Sequence, residues 1–194
     1  MDKIIIGFAI TGSFCTFKKI IPQIQNLVSM GYNIIPIMSE NTFSLNTRFG
    51  NADENIKNIE EITGNKIISD ITSAEPIGPK KILDLLLIAP CTGNTVAKLA
   101  GGIADSVVTL SAKSHLRNNR PIVIAVSTND GLGANAKNIG TLLSRKHIYF
   151  VPFGQDDCLE KENSLVAHFD LIPKTIEFAL SERQIQPLLR EYQI

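Results

Sequence analysis

The chain has 194 residues, 44% of them hydrophobic, which is enough to bury a proper core in one domain spanning residues 1–194. Lys plus Arg and Asp plus Glu both number 19, so there is no basic field of the kind that recruits nucleic acid or an anionic membrane surface, and neither is expected as a partner. The apolar run after Met1-Asp2-Lys3, from Ile4 to Ile10, is about seven residues, too short to cross a bilayer, and it lacks the charged start and cleavage pattern of a secretory signal. A cytoplasmic protein is expected. The three cysteines, Cys15, Cys91 and Cys158, have no metal-type spacing and do not suit a disulfide framework.

Ile4 to Ile10 is a continuous apolar run rich in β-branched residues, the pattern of a strand covered on both faces. Thr11-Gly12-Ser13 ends it. From Phe14 the apolar residues Phe17, Ile20, Ile21, Ile24, Leu27 and Val28 fall on one side of a helix that closes at Gly31. Asn33 to Met38 repeats the strand signature, followed by Ser39-Glu40-Asn41 as a turn or helix start. Ala52 to Thr63 reads as a helix, Ile67-Ile68 as a short extra strand, and Glu75 to Pro79 as a loop.

Ile82 to Ile88 is the most hydrophobic strand and is expected at the sheet centre. Pro90 to Thr95 follows it, then a helix carrying Val96, Leu99, Ala100 and Ile103, and a further helix capped by Asp105-Ser106 and running to about Leu116. Ile122 to Val126 is another buried strand. Leu132, Ala136, Ile139, Leu142 and Leu143 mark the next helix, and His147 to Pro152 holds a final strand. The remainder from Asp157 reads as helical, with Pro173 starting its last segment. Strand and helix alternate, so the fold class is α/β: a doubly wound, mostly parallel sheet with helices on both faces, a three-layer sandwich of flavodoxin-like or Rossmann-like type.

Open parallel sheets bind ligands at the carboxyl ends of their strands. Here those ends carry Gly12 and Ser13, then Ser39, then Pro90 to Thr95, then Ser127-Thr128-Asn129. Glycine permits close backbone approach, hydroxyls donate to anionic oxygens, and helix N-termini present unpaired amides, a set that suits a phosphate. Ser, Thr and Asn are also ordinary helix caps, so it is their convergence on one rim that carries the reading. The first loop has neither the G-x-G-x-x-G glycines of a dinucleotide site nor the Gly-Lys-Ser or Gly-Lys-Thr of a P-loop, which leaves a mononucleotide.

The segment Ala89-Pro90-Cys91-Thr92-Gly93-Asn94-Thr95, continuing to Asp105, resembles the P-A-S-A-N-T motif and following helix of the FMN-dependent cysteine decarboxylase flavoproteins, and Gly12-Ser13 resembles that family's first phosphate loop. The resemblance covers nearly the whole chain. It implies FMN held by Gly12, Ser13, Phe14, Ser39, Pro90, Thr92, Asn94 and Thr95, and a homo-oligomer. Two departures stand out. The family's decarboxylating members carry a histidine after the second strand, and residues 42–50 contain Arg48 but none. The family's substrate clamp, P-x-M-N-x-x-M-W, survives only as Asn129 within Val126-Ser127-Thr128-Asn129.

A different substrate follows, and a non-decarboxylating branch of the family implies an oxidoreductase subunit that works with a dehydrogenase-like partner carrying NADP or NAD on a small dicarboxylate. Such a chain either completes the partner's active site or passes electrons through its flavin. A non-catalytic scaffold with an empty nucleotide site, or an FMN-dependent cysteine decarboxylase, are the alternatives. Arg48 and Asn129 are the candidates for the substrate, Arg48 because guanidinium and carboxylate form a bidentate fork, although a solvated surface arginine explains it equally. Lys113, His115, Arg117 and Arg120 read as cations offsetting a helix C-terminus. Cys15 and Cys91 fall in the ligand-facing loops, where a reactive thiol competes with a small buried hydrophobe. No catalytic acid, base and nucleophile set is visible.

Overall fold

A computed structural model of the chain describes residues 3–191. Its strands β1 (Ile5–Ile10), β2 (Asn33–Met38), β3 (Leu85–Cys91), β4 (Ile122–Thr128), β5 (Ile148–Phe150), β6 (Phe153–Gln155) and β7 (Leu165–Ala167) form a seven-stranded sheet of order β2-β1-β3-β4-β7-β6, with β5 also paired to β4. β1 pairs with β2 and β3, β3 with β4, and β4 with β5, all in parallel. The order 2-1-3-4-5 is that of flavodoxin-like sheets, whose winding reverses between β1 and β3. Helices cover both faces, and this is why β3 is buried along its entire length.

The helices are α1 (Phe17–Ser29), α2 (Glu40–Ser44), α3 (Ala52–Thr63), α4 (Ile71–Ala74), α5 (Gly93–Gly101), α6 (Val107–Leu116), α7 (Ala136–Leu143) and α8 (Ile172–Leu180). α1 lays Phe17, Ile20, Ile24 and Leu27 onto the sheet and packs beside α3, while α5 packs against α6 and α7. Gly31, at φ +92, makes the left-handed turn that ends the α1 connection. The Ser106 hydroxyl and Thr109 close a capping box at the start of α6, which fixes the break from α5.

Several expectations are corrected. β3 begins later than Ile82 and continues through Ala89 and Pro90 to Cys91, because the β3–β4 register shifts between Ile88 and Cys91; proline is accepted in a central strand at such an irregularity. Glu75 to Pro79 is not simply a loop. Asp70 caps α4 by accepting the Ser73 amide at 2.9 Å, and a 3-10 turn over Glu75–Ile77 follows with Pro76 near its start. Ile67-Ile68 contributes a single parallel bridge, Ile68 to Ile37, rather than a strand.

The largest correction lies after β5. That strand is not the last, and the segment from Asp157 is not all helical: β6 and β7 form an antiparallel ribbon, with Phe153 opposite Ala167, and β7 pairs antiparallel with Ser127 and Thr128 at the end of β4. β5 occupies the first half of that β4 edge, opposite Ile122 to Ile124, so β7 fills the remainder. A 3-10 turn over Phe169–Leu171 and α8 after it are helical as expected, with Pro173 in the first turn of α8; residues 192–194 of the expected helix, like Met1 and Asp2, lie outside the described residues. No helix among the described residues is long and apolar enough to cross a membrane.

Candidate functional site

Hydrogen bonds tie the strand ends together at the point where the winding reverses. The Thr11 hydroxyl, after β1, donates to the Pro90 carbonyl at 2.7 Å and accepts the Thr92 amide at 3.0 Å. Ser13 and Ser127 hydroxyls meet at 2.9 Å, joining the loops after β1 and β4. The Ser39 amide donates to the Ile10 carbonyl at 3.0 Å, and its hydroxyl meets that of Thr42 at 3.1 Å. The four loops singled out in the sequence therefore converge on one rim.

Two clefts adjoin there and share Gly12 and Thr92. The smaller, about 300 Å³, is lined by Gly12, Ser39, Thr92, Asn94, Thr95 and Lys98 among others. The larger, about 680 Å³, is lined by Ser13, Phe14, Arg48, Asn129, Lys161 and Ser164 among others. Of the expected cofactor residues, Gly12, Ser39, Thr92, Asn94 and Thr95 reach the smaller cleft. Ser13 and Phe14 reach the larger, as do both expected substrate residues. Pro90 is buried in β3 and lines neither; its carbonyl holds Thr11.

The smaller cleft has the electrostatics of an oxyanion site. α5 points its N-terminus at it, and Thr92, at the N-cap, makes no side-chain bond to the first-turn amides; its hydroxyl meets that of Thr95 at 3.2 Å instead. α2 is likewise uncapped by the Ser39 side chain. Unpaired first-turn amides and the positive end of the helix dipole favour an anion. Lys98 adds a cation, bonded to Asp105 at 2.8 Å, and that bond holds the Asp105 carboxyl below the usual carboxylate range.

Gly93, the first residue of α5, is buried and lines the larger cleft. A Cβ on it would lie 2.5 Å from Thr128 Oγ1, 2.6 Å from Asn135 Nδ2 and 2.7 Å from Asp130 Oδ1. Those atoms belong to one network: Thr128 donates to Asp130 at 2.5 Å, and Asn135 donates to the other Asp130 oxygen at 2.8 Å. The loop after β4 is thus held against the start of α5.

Sequence reasoning missed Thr11, Lys98, Lys161, Ser164 and Val166 as lining residues. Thr11 lay within a quoted loop and was recoverable as a hydroxyl after β1. The others reach the clefts through tertiary contacts, Lys161 to Val166 by way of the unforeseen ribbon.

The sequence profile of the Flavoprotein family matches residues 1–176. The chain belongs to the Flavoprotein family. It is 51% identical over 186 residues to the dipicolinate synthase B subunit of Bacillus subtilis (strain 168), covering 96% of this chain and 93% of that one. The crystal structure of the dipicolinate synthase B subunit from Bacillus halodurans C shares 44% identity, superimposes with a TM-score of 0.90 and covers 100% of both chains. A structure of AnUbiX in complex with FMN and dimethylallyl pyrophosphate, at 16% identity and a TM-score of 0.59 over 78% of each chain, shares the fold.

Within this Flavoprotein-family fold, other sequence readings resolve differently. Cys91 lies in β3 rather than in a loop, and complete burial pushes its thiol far up. Cys15 is exposed in the larger cleft, with Ser13 Oγ 3.8 Å from its sulfur. The basic cluster does not act as one helix cap. His115 is 1% exposed, its Nε2 lies 3.1 Å from the Pro121 carbonyl oxygen, and burial pushes its pKa down to about 4. Arg120 lies beyond α6, donating to the Leu83 carbonyl and pairing with Asp84. Among the described residues, no histidine lines either cleft.

Proposed function

We propose that this chain acts as the B-type component of a dipicolinate synthase, joining a dehydrogenase-like A subunit that carries NADP or NAD to oxidise dihydrodipicolinate to dipicolinate during endospore formation in the cytoplasm. The likeness to the B subunit of dipicolinate synthase along nearly the whole chain supports the pathway assignment. The observation that carries the site reading is the smaller cleft, where hydroxyls, an uncapped α5 N-terminus and Lys98 converge.

The residues fit FMN. Gly12, Ser39, Thr92, Asn94 and Thr95 would hold its phosphate, with Ser13 and Phe14 at the adjoining ring compartment. Bound FMN supplies a ring that accepts or passes electrons. Of the chain's own groups, Arg48 pairs with a substrate carboxylate and Asn129 orients the substrate by hydrogen bonding, both from exposed positions on the larger cleft. The chain self-associates, and NADP or NAD on the A subunit would supply the oxidant for the dihydropyridine ring.

Purified protein is expected to bind FMN stoichiometrically, read from its visible absorption and fluorescence quenching. Asn94→Trp is expected to abolish that binding and the activity of the reconstituted A–B pair. No FMN uptake by the wild-type chain refutes the cofactor assignment. Full pair activity with Asn94→Trp supports the second reading, a scaffold for the A subunit, which the lack of a cleft-lining histidine among the described residues favours over cysteine decarboxylation.

A further inference from the structure

Ser164 immediately precedes β7 and is 1% exposed, yet its Oγ has no hydrogen-bond partner, and the residue lines the larger cleft. Its neighbours on that wall are satisfied: Ser13 by Ser127 at 2.9 Å and Thr128 by Asp130 at 2.5 Å. Leaving a hydroxyl buried and unpaired is costly, so one that persists in a cleft wall calls for an acceptor from outside the chain.

The backbone around Ser164 is well placed to hold it. Its amide donates to the Lys161 carbonyl at 2.9 Å, and the neighbouring Asn163 carbonyl accepts the Leu132 amide at 3.0 Å, which anchors the residue to the loop after β4. Lys161 lines the same cleft. Its ammonium lies 3.3 Å from the Asp156 carboxylate in a partly exposed pair, which solvent screens and which is easily exchanged for another anion.

We infer that Ser164 is a carboxylate-recognition residue: its hydroxyl donates to one carboxylate of a small dicarboxylate in the larger cleft, with Lys161 leaving Asp156 to supply the charge. The inference rests on the reading of that cleft as the substrate compartment. Arg48, lining the same cleft, is left for the second carboxylate. The phosphate of a nucleotide is not the acceptor, because Ser164 does not line the smaller cleft where the uncapped helix N-terminus lies. The hydroxyl is closed off from solvent, so the ligand reaches it as residues 156–164 shift outward. Resisting that shift are a 3.4 Å bond from the Asp156 amide to the Ser164 carbonyl, the exposed Lys161–Asp156 pair, the 2.8 Å bond from Gln155 Nε2 to the Glu162 carbonyl and the 3.0 Å bond from the Leu132 amide to the Asn163 carbonyl, few enough for a bound dicarboxylate to displace.

The test uses pyridine-2,6-dicarboxylate as probe, titrated calorimetrically into FMN-treated and untreated protein, with FMN affinity and ligand-free Tm measured in parallel. Ser164→Ala is expected to weaken probe binding about tenfold, a charge-assisted hydrogen bond's worth. FMN affinity should stay within about twofold, and the Tm should hold or rise, because no partner is lost. Ser164→Thr should retain binding, and Lys161→Gln, at an exposed position, should weaken it severalfold. Unchanged probe affinity in Ser164→Ala overturns the inference, as does a lowered Tm without loss of probe binding, which would mark a structural hydroxyl. Wild-type protein that binds FMN but no probe overturns this inference and leaves the flavin reading standing; binding of probe without FMN does the reverse.

Discussion

Gly93→Ala is the sharpest probe of how the site is built, because the space that a methyl group would enter is already filled by three polar atoms of one network. The new Cβ would sit 2.5 Å from Thr128 Oγ1, 2.6 Å from Asn135 Nδ2 and 2.7 Å from Asp130 Oδ1. None of these can yield alone: Asp130 bonds both others, and Asn135, 5% exposed, also accepts from Asn138 at 2.9 Å. Overpacking costs about 1–3 kcal/mol, and displacing one hydrogen bond to the carboxylate adds about 1.5–3 kcal/mol. Replacing glycine in a helix returns up to about 1 kcal/mol. The net is a loss of roughly 3 kcal/mol, or about 6–12 °C in Tm for a chain of this size. Urea unfolding and thermal melts read the stability, and FMN titration reads whether the start of α5 has moved. A double-mutant cycle with Asp130→Ala should show strong non-additivity, since that change opens the space the methyl needs. A Gly93→Ala protein as stable as wild type, or costs that simply add in the cycle, would refute the proposed packing.

The buried His115 makes acid stability predictable: its folded pKa of about 4 lies below the ordinary 6.5, so the unfolded chain binds the proton first. The stability from keeping it neutral is complete above pH 6.5 and is lost as pH falls from there toward 4, roughly 3 kcal/mol in all; His115→Gln should flatten the urea midpoint over that range. Gly154→Ala would place a Cβ 2.5 Å from the Arg190 carbonyl oxygen, a backbone atom that cannot rotate away. It should break the Phe153–Leu188 and Arg190–Phe153 amide bonds and speed hydrogen exchange at residues 188–190, by a change costing about 1–3 kcal/mol. Arg48→Ala, at an exposed guanidinium 4.8 Å from the Phe49 ring centroid, should weaken pyridine-2,6-dicarboxylate binding about tenfold with Tm unchanged, as titration and melting would show.

The parts of this architecture legible in the sequence are those whose physics is local. β2 runs from Asn33 to Met38 and α3 from Ala52 to Thr63, as the apolar period and flanking residues dictate. Glycine and hydroxyl residues after β1, β2, β3 and β4 had to meet once the strands were parallel and sequential, so the rim follows from topology alone. β3 misled at both ends. The Ile82–Asp84 approach is apolar enough to pass for strand, and Pro90 reads as a terminator unless the register shift opposite β4 is known.

The ribbon shows why a site can be half hidden from sequence reasoning. β6 and β7 have three residues each, too few for a period of two to show against background. They exist because β5 is short and leaves Ser127 and Thr128 with open backbone groups on the edge that β7 then pairs. That non-local demand turns the chain back across the carboxyl ends of the parallel strands. Gly131 records the closeness of the fit, since a Cβ there would lie 2.7 Å from the Leu165 side chain. The ribbon thereby brings Lys161, Ser164 and Val166 to a cleft whose other wall is made by the phosphate-type loops. The loop chemistry suits an anionic group, and the ribbon, which no local pattern announces, builds the facing wall of the cleft beside it.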